Sequence, residues 1–150
     1  MIQRKQTLWL LLALVATVVC LCLPVGAFEP AGMGTSDKMY NLWIELAAGT
    51  HDFAVWPMFA LLLASCPVVI AAIFLYSNRP LQSRLCLFNM LLLVLWYVEL
   101  AVNSRIGGTE VAFHPALAAC LPAFALILSF MAYKGIQHDE RLVRAADRIR

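Results

Sequence analysis

Charge is scarce in this chain. Asp, Glu, Lys and Arg make up 13% of its 150 residues, while 63% are hydrophobic. Soluble domains run nearer half apolar and a quarter charged. A water-soluble fold would carry that apolar surplus on its surface, where it drives association. Lipid accepts the surplus, so the composition points to an integral membrane protein.

Other absences narrow the chemistry. The five cysteines, Cys20, Cys22, Cys66, Cys86 and Cys120, form no C-x-x-C, are odd in number and avoid the longest polar loop. They read as small buried hydrophobes rather than disulfide or redox pairs. No histidine lies deep within an apolar run, His114 standing at the very start of the fourth, which argues against bis-histidine haem ligation. No histidine pair has ligand spacing such as H-x-x-x-H. His51 and His114, with Glu45, Asp52 and Glu110, therefore read as solvated loop residues rather than zinc ligands. Nucleophile–base pairs and phosphate loops are also missing. The sequence predicts no catalytic residue, no metal and no cofactor, and nucleic acid is not an expected partner.

What is there is a set of four apolar runs, placing membrane spans at about 7–28, 55–76, 82–102 and 113–133. Each has about 20 residues, enough to cross a hydrocarbon core of about 30 Å. The first run follows Arg4 and Lys5, and Val25-Gly26-Ala27 resembles a small-residue cleavage site. Its length exceeds the typical signal core of about 7–15 residues, so an uncleaved helix is expected. Pro57 and Pro115 suit first helical turns, where a missing N–H costs nothing.

Between the first two runs, Gly32, Gly34 and Thr35-Ser36-Asp37 read as turn. Tyr40, Leu42, Ile44 and Leu46 then alternate with Asn41, Trp43 and Glu45, which predicts a short extended element near the membrane surface. Ile106-Gly107-Gly108-Thr109 makes another turn. The tail, 134–150, reads as an amphipathic helix joined to the fourth span through Gly135. The expected fold is an all-α antiparallel bundle of four transmembrane helices in a single domain, 1–150. A short extended element in the first outer loop and a C-terminal amphipathic helix complete it.

Charge orients the bundle. Arg4, Lys5, Arg79, Arg84, Lys134, Arg141, Arg144, Arg148 and Arg150 fall on one side, and only Lys38 and Arg105 on the other. Cytoplasmic loops carry the Lys and Arg excess, so both termini are expected inside and the long acidic loop outside.

Three stretches carry a family resemblance. They are Met1-Ile2-Gln3-Arg4-Lys5-Gln6-Thr7-Leu8-Trp9-Leu10-Leu11-Leu12-Ala13, the short inner loop Tyr76-Ser77-Asn78-Arg79-Pro80-Leu81-Gln82-Ser83-Arg84-Leu85-Cys86-Leu87-Phe88-Asn89, and the tail Asp139-Glu140-Arg141-Leu142-Val143-Arg144-Ala145-Ala146-Asp147-Arg148-Ile149-Arg150. Together they resemble the small Bacteroidota membrane proteins grouped as domain of unknown function 4293. The resemblance covers the whole chain, and the tail is its most specific part. It implies a four-helix inner-membrane protein of a Gram-negative bacterium and implies no activity.

A few residues remain as candidates. Glu99 is the only acid inside an apolar run, and such residues are costly and usually functional. It lies about 5 Å below the outer edge, at 1.5 Å per residue, where a structural or interfacial role competes with a proton or cation site. Pro67 and Pro122, read as interior to the descending helices, can kink them. Ala60 and Ala64, Ala119 and Ala123, and Ala125 and Ser129 are small-xxx-small pairs that let helices approach. In the tail, Asp139, Glu140, Leu142, Val143, Arg144, Asp147 and Arg148 are candidates for contact with a protein partner or with lipid. The favoured function is a non-enzymatic accessory or assembly subunit that binds another membrane protein. The alternative is a small transporter or channel subunit using Glu99 and the kinked helices. Membrane lipid, a protein partner or a second copy are the partners these readings allow.

Overall fold

Uninterrupted runs of Leu, Val and Ala make helices here because in each run every polar backbone group can be satisfied within its own segment. The computed structural model describes residues 3–30, 36–46, 49–76, 78–105 and 111–147, with the side chains of these except 3, 4, 30, 144, 146 and 147. Among them four helices are long and apolar enough to cross a membrane: α1 (Gln3–Cys22), α2 (Trp56–Phe74), α3 (Arg79–Asn103) and α4 (Leu121–Asp147). Each packs chiefly against two others, α1 and α3 both lying between α2 and α4. Two apolar clusters fill the bundle. One, around Trp96, Met58, Leu62 and Leu93, sits toward the ends of α1 and α3; the other, around Leu10, Val69, Cys86 and Ile136, sits toward their beginnings.

The molecule is not purely helical. Five short strands, β1 (Gly26–Pro30), β2 (Asp37–Met39), β3 (Ile44–Glu45), β4 (His51–Asp52) and β5 (Val111–Pro115), form one antiparallel sheet in the order β4-β3-β2-β1-β5. The expectation of an all-α bundle with one extended element is corrected accordingly. The runs expected as helix over 7–28 and 113–133 are apolar throughout, but their loop-side ends pair with each other as β1 and β5. Pro24 explains the first departure: it has no N–H to continue α1, and the residue before a proline is pushed out of the helical region. Phe113 explains part of the second. Its ring lies against the Cα of Gly26, where any side chain would collide with it, and it packs on Phe28 at 5.1 Å between ring centres.

Pro115 therefore ends a strand instead of starting a helix. A short 3-10 turn, Leu117–Cys120, precedes α4, and Pro122 falls in that helix's first turn rather than in its interior. The kink expected at Pro122 is withdrawn, because a proline there displaces no helical hydrogen bond. Pro67 does lie within α2, with its ring exposed. Of the alternating stretch around Tyr40 to Leu46, only Ile44 and Glu45 are strand, and Tyr40 N donates to Trp43 O at 2.9 Å to close a turn. The turns read at Gly32, Gly34 and Thr35 and at Ile106 to Thr109, like Ser77, lie outside the described residues.

The tail is not a separate helix. α4 runs without a break through Gly135 to Asp147. Gly135 is needed for close approach: a Cβ there would meet Gln6 Cγ at 3.1 Å. Arg148, Ile149 and Arg150 lie outside the described residues.

Candidate functional site

The helices are inside out relative to a soluble bundle. On α3, Leu87, Phe88, Leu91, Val94, Leu95, Val98 and Val102 face outward, while Gln82, Asn89 and Asn103 are buried. α1 exposes Leu8, Leu11, Leu12, Val15 and Val18 and buries Gln6 and Thr17. The polar side chains that matter are therefore those between helices.

They form three levels. Near the middle of the bundle, Ser65 Oγ of α2 donates to Asn89 Oδ1 of α3, and Asn89 Nδ2 donates to Ser129 Oγ of α4 at 3.0 Å. All three are essentially without solvent contact. One asparagine thus joins three helices, using both ends of its amide.

The second level lies beneath the sheet. Asn41 Nδ2 donates to Cys20 O at 2.7 Å, and Trp96 Nε1 donates to Asn41 Oδ1 at 3.0 Å. Cys20 O is the carbonyl that residue 24 would satisfy if α1 continued, and residue 24 is a proline without an N–H. The loop amide supplies the missing donor and ties α1, α3 and the sheet together. Alongside, Tyr97 OH donates to Ala119 O at 2.7 Å.

At the opposite end, Gln6 Nε2 of α1 donates to Asp139 Oδ2 of α4 at 2.6 Å, with both side chains buried. Gln82 Nε2 donates to Ala72 O at 2.9 Å, capping the last turn of α2. Among the described residues no buried side-chain nitrogen or oxygen is left without a hydrogen-bond partner.

The family model described as Domain of unknown function (DUF4293) matches residues 2–149. The chain belongs to this family. No curated protein matches it.

The residues singled out from the DUF4293 sequence fall mostly outside these levels. Glu99 is half-buried near the sheet end of α3, ten residues from Asn89, and Asn103 Nδ2 approaches its Oε2 at 3.5 Å. That pairing is within one helix and reaches no other span. Glu99→Gln is expected to change thermal stability by less than about 1 kcal/mol, because the amide keeps an acceptor for Asn103 near the helix end. A loss of several kcal/mol on melting the purified variant would show that the carboxylate holds more than Asn103.

In the tail, Asp139 is spent on Gln6, Glu140 is half-buried, and Leu142 and Val143 are exposed. The side chains of Arg144 and Asp147 lie outside the described set. Of the small-residue pairs, Ala125 and Ser129 face the core, whereas Ala64 faces out.

The five cysteines are free, with Cys20 and Cys86 buried. Among the described residues no three His, Cys, Asp or Glu side chains group as metal ligands. His114 Nε2 and Glu29 Oε2 meet at 3.5 Å across β5 and β1, both well exposed. Glu110 lies outside the described residues.

Asn41, Ser65, Asn89, Ser129, Gln6 and Asp139 were missed as a set. The available signal was a hydrogen-bonding side chain inside or beside an apolar run, which Asn89 gives most clearly.

Proposed function

We propose that this protein is a multi-pass protein of the bacterial inner membrane, with both termini in the cytoplasm. In this reading it is a non-enzymatic accessory or assembly subunit that binds another membrane protein. One observation carries the reading: the interior polar groups are spent on one another, whereas the charged and aromatic side chains of the sheet are displayed. A transport path needs polar groups left over for its cargo, and among the described residues at the levels of Asn89 and Asn41 every buried side-chain nitrogen and oxygen already has a partner. The sheet, in contrast, offers a shaped surface. Lys38, Glu45, His51 and Asp52 are exposed on it, and Trp43 packs with Tyr40, His51 and Phe53 along its β4 side. Apolar helix faces turned outward suit lipid, and the Lys and Arg excess at the end opposite the sheet suits the cytoplasm.

Two measurements test this. Reporter fusions should place the loop around Lys38 outside the cytoplasm and the Arg79 loop and C-terminus inside. Photo-crosslinking from position 38 or 45 in intact membranes, followed by purification in mild detergent, should recover one protein in fixed stoichiometry. Recovery of the chain only as its own oligomer would refute the accessory-subunit reading.

A further inference from the structure

Just beyond the apolar part of α4, Lys134, Gln137, His138 and Arg141 line a shallow cavity of about 230 Å³. At 100° per residue the four fall within an arc of about 100° and extend over about 10 Å of helix. Lys134, His138 and Arg141 are exposed. Two contacts fold this face back toward the span: Lys134 Nζ lies over the Phe130 ring at 4.9 Å from its centre, and Gln137 Nε2 donates to Tyr133 OH at 2.6 Å. Lys134 is thereby held at the level where the apolar surface ends, instead of reaching away from it.

The tail also contains acids, which in the sequence alone would weaken an anion site. The structure removes them from this face. Asp139 turns into the bundle to receive the Gln6 amide, and Glu140 lies about 120° around the helix from Lys134, outside the arc. No acid among the described side chains shares the arc. What remains is two permanent cations, one imidazole and one amide around a concave spot.

We propose that this face of α4 binds the phosphodiester headgroup of an anionic phospholipid in the cytoplasmic leaflet. Its lipid tails lie along the exposed Ile127, Phe130 and Met131 below. The inference rests on the membrane reading above. The charge pattern selects a headgroup with net negative charge, because a zwitterionic lipid would bring its own amine against Lys134 and Arg141. Each base near a surface of this kind contributes on the order of fivefold in affinity.

The test uses the full chain purified in detergent, with native mass spectrometry counting bound lipid. Dioctanoyl phosphatidylglycerol is titrated against dioctanoyl phosphatidylcholine, and inorganic phosphate is run in parallel. Phosphatidylglycerol should bind at least about fivefold tighter than phosphatidylcholine. The double variant Lys134→Gln with Arg141→Gln should lose about tenfold or more of that affinity, and Arg79→Gln with Arg84→Gln, removing the same charge from the inner end of α3, should lose little. Equal affinity for the two lipids, equal loss in the two double variants, or phosphate binding as tightly as phosphatidylglycerol would each overturn the site. Alkaline extraction of cell membranes reads the underlying premise separately. A chain released by it refutes membrane insertion, whereas a chain retained by it but without lipid preference refutes only the site.

Discussion

Asn41→Leu is expected to destabilise the protein by about 2–6 kcal/mol. Leucine has the same branching and number of side-chain heavy atoms but can neither donate to Cys20 O nor accept from Trp96 Nε1. Each group would be left buried and unpaired, at a cost of about 1–3 kcal/mol apiece. The two losses are independent, because one concerns the end of α1 and the other the side of α3. No neighbour replaces the donor to Cys20, since the residue that would do so in a longer helix is Pro24. Unfolding by dodecyl sulfate in mixed micelles, followed by tryptophan emission, measures the loss. An Asn41→Leu protein within about half a kcal/mol of the parent would mean that the sheet is held to the bundle by its apolar contacts alone.

At Asn89 the larger effect should come from the smaller change. Asn89→Asp keeps the shape and places a carboxylate in the middle of the bundle, where a charge costs about 2.5–3.5 kcal/mol. It also exchanges the donor facing Ser129 for an acceptor. Asn89→Leu loses both bonds but should cost only about 1 kcal/mol, because hydrogen bonds between membrane helices average near 0.6 kcal/mol. Each serine can then turn its hydroxyl to a carbonyl of its own helix. The same micelle unfolding assay orders the three proteins as Asn, then Leu, then Asp. An aspartate variant as stable as the leucine one would mean that the carboxyl is held protonated or that water reaches position 89.

The four helices were visible in the sequence because hydropathy needs no knowledge of partners. What hydropathy could not separate was the difference between an apolar helix and an apolar strand continuing from it. Val25 to Phe28 and Phe113 belong to the same runs as their helices, and only Pro24 and Pro115 marked the breaks. Pro115 was read as a helix start because proline is at home both there and at a strand end. The buried polar levels had a visible half. Asn89 stands out within its run, but that it meets Ser65 and Ser129 depends on which helices are neighbours. Gln6 and Asp139 are 133 positions apart, and nothing local to either announces the other. Gly135 looked like a joint for the same reason: the side chain it makes room for comes from the opposite end of the chain.

The pairing of β1 with β5 has a consequence for how the protein is made. β1 follows the first span, whereas β5 lies between the third span and the fourth, so a chain growing from its N-terminus presents β1 long before its neighbour exists. β2 can join at once, but the other edge of β1 stays open until α3 and β5 have been made. Closing that edge brings the start of α4 beside the end of α1. That edge of β1 therefore waits, unpaired by its eventual neighbour, until nearly three quarters of the chain has been made.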